Sequence, residues 1–122
     1  MTVLTPPSGP AIPEIDVHTL AAWLEAGTAV VIDVREDEEW EEMHMPGVTL
    51  LPMSEFEPED LPDRAGKALV IQCRSGVRSL AVARRLVQRE GHVEVYNLTG
   101  GILAWQAAGF EVQAGELQEQ AA

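Results

Sequence analysis

The sequence predicts an α/β fold in which helices flank a mainly parallel central sheet. Two short apolar runs rich in β-branched residues, 29–34 and 68–71, are typical of strands that are buried on both faces. The segments 17–24 and 79–87 instead repeat their apolar residues at the spacing of an amphipathic helix. Strands that alternate with helices indicate parallel strands joined by helical crossovers. A chain of 122 residues is long enough for one such domain.

The first third of the chain predicts a lead-in, an edge strand, a helix and a buried strand. Residues 1–13 contain four prolines and are expected to form an extended, flexible lead-in. The edge strand lies at 14–15, and Asp16 is a favourable N-cap for the helix that follows. We expect this helix to end at Gly27, because glycine readily adopts the left-handed conformation that closes a helix. The buried strand 29–34 comes next.

An acidic segment, 36–42, holds six carboxylates in seven residues and is interrupted by Trp40. This pattern predicts a short solvated helix that inserts one aromatic side chain into the core. We interpret the charge as a solvated face, and a docking surface for a basic partner is the alternative. His44 precedes a Pro46-Gly47 turn, and we expect it to make a structural hydrogen bond rather than to act as a general base.

The rest of the chain continues the alternation of strands and helices. The expected elements are, in order, a strand at 48–51, a short helix capped by Ser54 and running through Glu57, a polar connection at 58–66, the central strand at 68–71, a helix from Ser79 to a stop at Gly91, a strand at 93–98 and a helix at 102–108. We therefore divide the chain into the lead-in, 1–13, one domain, 14–110, and a polar tail, 111–122.

The charge balance and the composition restrict the possible partners. Eight basic and twenty acidic residues give a net charge of −12, which makes nucleic acid and anionic membrane surfaces unfavourable partners. The spacing of cysteine and histidine suits no metal site, and no nucleotide-binding glycine motif occurs, so we expect no metal and no cofactor. Residues 1–13 show neither a signal peptide nor a membrane helix. A single reactive cysteine fits a reducing compartment, and we expect a cytoplasmic protein.

The only cysteine of the chain, Cys73, lies between the predicted central strand and the helix that follows it. In such a loop the backbone N–H groups and the positive end of the helix dipole point at the cysteine sulfur. Helix N-termini and adjacent arginines lower the pKa of a thiol from about 8.5 to roughly 3.5–7.5, and Arg74 and Arg78 flank this loop. A buried cysteine can also be a small hydrophobe, but Ser75, Gly76 and two arginines favour an anion-binding loop with a nucleophile.

Three stretches of the chain resemble the rhodanese-like family, which includes single-domain thiosulfate sulfurtransferases. The sequence CRSGVRS at 73–79 resembles the active-site loop, a six-residue loop that begins with a cysteine and closes with an arginine. The segment 33–47, with its DVRE and HMPG sequences, resembles the first conserved block of the family, and GGILAW at 100–105 resembles the C-terminal one. The resemblance runs from about residue 14 to residue 109. It implies a three-layer sandwich around a five-stranded, mainly parallel sheet.

The resemblance also implies a reaction. The Cys73 thiolate would attack the outer sulfur of a sulfane donor such as thiosulfate, sulfite would leave, and the resulting persulfide would pass its sulfur to cyanide, a small thiol or a protein acceptor. Arg78 and the loop N–H groups would stabilise the persulfide or the departing anion, and Arg74 would bind the donor oxyanion. The expected substrate-binding residues are Arg74, Ser75, Gly76, Val77 and Arg78. The expected supporting residues are Asp33 and Arg35, at the carboxyl edge of a strand, and Ser79.

Two other functions remain open at this point. The domain could be a persulfide carrier or a regulatory binding module whose partner protein is the true donor or acceptor, with segment 36–42 as the contact face. It could also be a cysteine-dependent phosphatase or an arsenate reductase, since related phosphatases use a similar loop. Four residues separate Cys73 from Arg78, one fewer than in those phosphatases, and so narrow a loop favours a single sulfur atom over a tetrahedral phosphate.

Overall fold

A computed structural model of the chain describes residues 11–90 and 94–115. Within them, five strands form one sheet in the order β1-β5-β4-β2-β3, and every neighbouring pair is parallel. The strands are β1 (Glu14–Ile15), β2 (Ala29–Asp33), β3 (Thr49–Leu50), β4 (Ala68–Gln72) and β5 (Val95–Leu98). The helices are α1 (Val17–Ala26), α2 (Asp37–Glu42), α3 (Val77–Glu90) and α4 (Gly101–Ala107). Among these helices none is both long and apolar enough to cross a membrane.

The sheet has one apolar core on each face, which confirms the predicted α/β architecture of three layers. On one face Val82 and Leu86 of α3 pack against the strand residue Ile71. On the other face Leu20 of α1 and Ile102 of α4 pack against the opposite side of the strands. Because all five strands run in the same direction, their carboxyl ends share one edge of the sheet, and β4 ends at the middle of that edge.

Local sequence signals account for the helix ends. Asp16 caps α1 by accepting a hydrogen bond of 2.8 Å from the N–H of Thr19, and Gly27 closes the same helix with a φ of 74°. Helix α3 begins at Val77, two residues before the predicted Ser79. The predicted stop at Gly91 and the first residue of the predicted strand 93–98 lie outside the described residues.

The predicted helix from Ser54 through Glu57 was wrong. The structure has a single 3-10 turn there, Met53–Glu55, and Ser54 lies inside it instead of capping it. The Ser54 hydroxyl donates to the Glu36 carboxylate at 2.9 Å. Pro58 explains the short turn, since a residue that precedes proline is driven out of the helical region, and Glu57 is extended, with φ −130° and ψ 140°.

The acidic segment forms the helix α2, as predicted, with Trp40 as its one buried residue. The indole of Trp40 stacks on the ring of His44 with 3.9 Å between the ring centroids. Nδ1 of His44 lies 2.8 Å from the carbonyl oxygen of Trp40. His44 therefore makes a structural hydrogen bond, as expected from the sequence.

The described part of the predicted tail packs against the domain. Gln113 exchanges two backbone hydrogen bonds of 2.7 Å with His44, and the indole N–H of Trp105 donates to the carbonyl of Glu111 at 2.8 Å. Most of the predicted lead-in and residues 116–122 of the tail lie outside the described residues.

Candidate active site

The sulfur of Cys73 lies at the carboxyl end of β4 inside a ring of hydrogen-bond donors. The residue is 1% exposed. The N–H of Gly76 points at Sγ from 3.1 Å, and the N–H and the hydroxyl of Ser79 each lie 3.4 Å from it. The loop and the first turns of α3 thus bring together donors from Gly76 and Ser79 around one atom. Such an arrangement stabilises negative charge on the sulfur.

Helix α4 holds this loop in place through its backbone. The N–H of Ile102 donates to the carbonyl of Cys73 at 2.9 Å, and the N–H of Leu103 donates to the carbonyl of Arg74 at 3.1 Å. The two groups of a trans peptide point in opposite directions. Because α4 fixes the Arg74 carbonyl, the N–H of Ser75 in the same peptide is directed to the other side, where the sulfur lies.

Gly101 makes the close approach of α4 to the loop possible. Its φ is 59°, and a Cβ atom at this position would clash with the backbone carbonyl groups of Cys73 and Arg74. Only glycine combines that conformation with that contact at no steric cost. Gly101 therefore allows α4 to position the active-site loop, a role that the sequence alone did not reveal.

The pKa of the Cys73 thiol reflects two opposing effects. Burial raises it, because the charged thiolate loses water. Hydrogen bonds from the Ser79 hydroxyl, the Ser79 N–H, the Gly76 N–H and the Ser75 N–H lower it. The hydrogen bonds outweigh the burial, and the pKa ends below its usual value. The thiolate fraction at neutral pH is therefore larger than for a free cysteine.

Asn97, at the carboxyl end of β5, connects the loop to the neighbouring strands. Its side-chain oxygen accepts from the Ser79 hydroxyl at 2.5 Å. Its amide nitrogen donates to the carbonyl of Gly76 at 3.1 Å and to the carboxylate of Glu14 on β1 at 3.3 Å. Sequence reasoning missed this residue. The available signal was its place at the end of a strand beside β4, where open α/β sheets collect functional side chains.

Arg78 lies in the first turn of α3 and is engaged by a carboxylate of α2. Its Nη1 and Nη2 each donate to one oxygen of Glu39 at 2.8 Å, which is a bidentate ion pair. The Arg78 hydrogen bonds hold the pKa of Glu39 at about 2, against the opposing effect of burial. Glu39 was interpreted from the sequence as one carboxylate of a solvated face, and it is instead the partner of the arginine that closes the loop.

Asp33 and Arg35 form a buried ion pair at the end of β2. Nε of Arg35 lies 3.0 Å from Oδ1 of Asp33, and its Nη2 lies 2.8 Å from Oδ2. The same guanidinium also donates to the carbonyls of Met43 at 2.7 Å and Glu39 at 3.3 Å. This pair therefore fixes α2 on the sheet and, through α2, the position of the Glu39 carboxylate.

The remaining predicted loop residues form the exposed rim around the buried sulfur. Arg74 and Ser75 are exposed, and Val77 is 73% exposed. Among the described residues Arg74 has no hydrogen-bond or ion-pair partner for its side chain. Leu103 of α4, whose N–H holds the loop, is also exposed. The rim thus offers one unpaired positive charge and two apolar side chains to a molecule that approaches the sulfur.

The two cavities described next lie away from Cys73. One of about 320 Å³ is lined by Leu61, Leu69 and Leu86, under the 3-10 turn Pro58–Asp60. Another of about 600 Å³ includes Ala29 and lies at the amino end of β2. Neither cavity is lined by a cysteine, a serine or a histidine, so the nucleophile and the cavities belong to different parts of the molecule.

Residues 16–108 match the sequence profile of the family described as rhodanese-like domain. The chain belongs to this family. GlpE of Coxiella burnetii, a thiosulfate sulfurtransferase, is 32% identical to the rhodanese-like chain over 93 residues, which cover 75% of this chain and 86% of GlpE. A structure of a rhodanese-related protein from Thermoplasma volcanium superposes with a TM-score of 0.72 at 26% identity, covering 83% of this chain and 97% of that one.

Other relatives of this rhodanese-like domain are longer. The Bacillus subtilis protein YrkF is 32% identical over 96 residues, which cover 78% of this chain but only 51% of YrkF. The chain spans about half the length of the first curated relatives that it matches. The predicted family and its fold are confirmed, since the sequence profile and the solved structures agree with the five-stranded parallel sheet.

Proposed function

We propose that the protein is a sulfurtransferase that carries a sulfane sulfur as a persulfide on Cys73. The observation that supports this most directly is the buried Cys73 sulfur with N–H donors from Gly76 and Ser79 directed at it and a lowered pKa. A second sulfur atom bound to Sγ would extend from this ring toward the rim. Donors that are already oriented toward developing negative charge stabilise it without reorganisation.

In the first half-reaction the Cys73 thiolate attacks the outer sulfur of a donor such as thiosulfate. A new S–S bond forms, the S–S bond of thiosulfate breaks, and sulfite leaves with the electron pair of that bond. In the second half-reaction cyanide or a thiolate attacks the outer sulfur of the persulfide, and the Cys73 thiolate leaves. Sulfite and thiolates are weakly basic leaving groups, so neither step requires a dedicated general acid.

The exposed rim supports the assignment of donor-binding residues. Arg74, which has no side-chain partner in the described part of the chain, would meet the oxygens of the donor. Arg78 would act closer to the sulfur, with its charge partly balanced by Glu39. The local charge of the loop outweighs the global charge of −12, because salt at about 0.15 M screens exposed charges beyond about 8 Å.

A persulfide carrier that serves a partner protein is the second candidate. The observation in its favour is the exposure of Val77 and Leu103, the two large apolar side chains that are exposed in the described residues and that flank the loop. A protein acceptor would cover these side chains when its thiol reaches the sulfur. Both candidates use the same Cys73 persulfide, and both fit a reducing compartment such as the cytoplasm.

Intact-protein mass spectrometry after brief exposure to thiosulfate tests the proposal. We expect a gain of one sulfur atom, about 32 Da, that a thiol removes. Cys73→Ser is the control and should show no gain, while circular dichroism shows an unchanged fold. Aryl phosphate hydrolysis by the same sample should be negligible. Cys73-dependent phosphatase turnover without any persulfide would contradict the proposal and favour the phosphatase alternative.

A further inference from the structure

The ion pair between Arg78 and Glu39 changes the charge that the loop presents to a substrate. Both oxygens of Glu39 accept from the guanidinium at 2.8 Å. Glu39 is further held by the N–H of Glu36, which donates to its Oε1 at 2.9 Å. The carboxylate is therefore fixed by three hydrogen bonds beside the first turn of α3. Its negative charge balances one of the two positive charges of the loop arginines.

Glu39 remains ionised at every pH at which the protein would work. Hydrogen bonds from Arg78, which outweigh the effect of burial, hold its pKa at about 2. The Glu39 side chain is 27% exposed, and that of Arg78 is 35% exposed. The ion pair is therefore accessible enough to interact electrostatically with an incoming molecule. Arg74 is then the only cation of the loop without a side-chain partner in the described part of the chain.

The consequence depends on the charge of the sulfur donor. Thiosulfate carries two negative charges and must approach a thiolate that is itself negative. With Arg78 balanced by Glu39, the loop offers a net of one positive charge to three negative ones. The carboxylates of Asp37 and Glu38 lie in the same helix turn as Glu39, but both are exposed, so salt screens their effect on the donor. A donor with one negative charge or none meets a smaller barrier.

We propose that Glu39 sets the donor specificity of the proposed sulfurtransferase and directs it toward persulfides and other sulfane donors of low charge, and away from thiosulfate. This inference rests on the proposed function. For a persulfide R–S–SH, the Cys73 thiolate attacks the outer sulfur, the S–S bond of the donor breaks, and the thiolate R–S⁻ leaves with its electron pair. Cys73 then carries the group S–SH, and the total charge is unchanged.

Two donors of similar shape separate the effect of charge from other effects. Thiosulfate is a dianion, and methanethiosulfonate is the monoanion in which a methyl group replaces one oxygen. Both transfer their outer sulfur, and they release sulfite and methanesulfinate, respectively. The ratio of their kcat/KM values measures discrimination by charge. Cysteine persulfide is the third donor and represents the proposed class.

The variants are Glu39→Gln, which removes the charge that balances Arg78, and Glu38→Gln, which removes the same charge from an exposed neighbour. We expect Glu39→Gln to raise kcat/KM for thiosulfate by about tenfold, and to change that for methanethiosulfonate and cysteine persulfide by less than about threefold. Glu38→Gln should change all three values by less than about twofold, because exposed charges are screened. Wild type should use cysteine persulfide better than thiosulfate.

A double variant shows whether the charge of Glu39 acts on the donor directly or only through Arg78. In an Arg78→Gln background the Glu39 carboxylate is an unpaired negative charge, so Glu39→Gln should still favour thiosulfate over methanethiosulfonate. Circular dichroism and the mass gain on Cys73 show that each variant is folded and reactive. If Cys73 takes up sulfur but Glu39→Gln leaves the donor ratio of wild type unchanged, the specificity inference is overturned and the sulfurtransferase proposal stands. If none of the three donors loads Cys73, both are overturned.

Discussion

The hydroxyl of Ser79 donates to the side-chain oxygen of Asn97 across 2.5 Å and lies 3.4 Å from the sulfur of Cys73. The amide nitrogen of Asn97 donates to Gly76, which fixes the side-chain oxygen of Asn97 toward Ser79. A hydroxyl has a single proton. While that proton points at Asn97, the hydroxyl can accept from the thiol, and it must rotate to donate to the thiolate. Ionisation of Cys73 is therefore coupled to the orientation of one hydroxyl group.

Ser79→Ala should make Cys73 less reactive. The variant removes the hydroxyl that donates to the thiolate, and the pKa of the thiol should rise as a result. We expect alkylation by iodoacetamide at pH 7 to slow by roughly three- to tenfold, with the pH profile of the rate displaced to higher pH.

Ser75→Ala is the matched control for this measurement. Ser75 is exposed, and it contributes to the lowered pKa of Cys73 only through its backbone N–H. The alkylation profile of this variant should coincide with that of wild type. If Ser79→Ala also gives the wild-type profile, the hydroxyl does not stabilise the thiolate.

Gly101→Ala should distort the active-site loop. The added methyl group would clash with the carbonyls of Cys73 and Arg74, and the φ of 59° is unfavourable for alanine. We expect a loss of roughly 2–4 kcal/mol in the free energy of unfolding, measured by urea denaturation. Gly109→Ala is the control, because Gly109 has a φ of 88° with open space around it, and it should cost only about 1 kcal/mol. Equal losses of stability in the two variants would mean that a methyl group at Gly101 does not clash with the loop.

The sequence was informative where the site is local and uninformative where it is assembled across the fold. Cys73 and Ser79 belong to one strand, loop and helix, so their spacing alone placed the donors around the sulfur. Glu39 and Arg78 lie 39 residues apart, and no local pattern distinguishes Glu39 from the other carboxylates of segment 36–42. Asn97 was missed for the same reason, since the register of β5 against β4 decides what it contacts.

The turn around Ser54 shows a different limit of sequence reasoning. The residue type suited a helix N-cap, but Pro58 excluded the helix that it would have capped, and Ser54 donates to Glu36 instead. A capping signal predicts a helix only when the next four residues can adopt helical backbone angles. Pro58 was visible in the sequence, and its exclusion of helical backbone angles at the preceding residue outweighs the preference of Ser54 for the N-cap position.

The pair of Glu39 and Arg78 should make stability depend on pH in the acid range. Folding lowers the pKa of Glu39 from an ordinary value of 4.5 to about 2, so its contribution is complete above about pH 4.5 and is lost as the pH falls toward 2. We expect Glu39→Gln to lower the free energy of unfolding by on the order of 1 kcal/mol at pH 7, after screening of this partly exposed pair, and by nearly nothing at pH 2.

Urea denaturation of wild type, Glu39→Gln and Glu38→Gln at several pH values measures this contribution. Glu38 is exposed, and its replacement should have little effect on stability at any pH. A difference between wild type and Glu39→Gln that persists unchanged at pH 2 would have a cause other than the charge of the pair.

The two loop arginines should differ in the kinetic constant that they control for thiosulfate. Arg74 is exposed on the rim and would bind the donor equally before and during the reaction, so Arg74→Ala should raise KM by about tenfold and leave kcat nearly unchanged. Arg78→Ala should instead lower kcat by about tenfold, because it leaves the Glu39 carboxylate unpaired beside the thiolate.

Arg85→Ala removes the same charge from an exposed position on α3 and should change neither constant. Adding Glu39→Ala to Arg78→Ala should restore part of the lost kcat. If Arg74→Ala lowers only kcat and Arg78→Ala raises only KM, the two roles are the reverse of those assigned here.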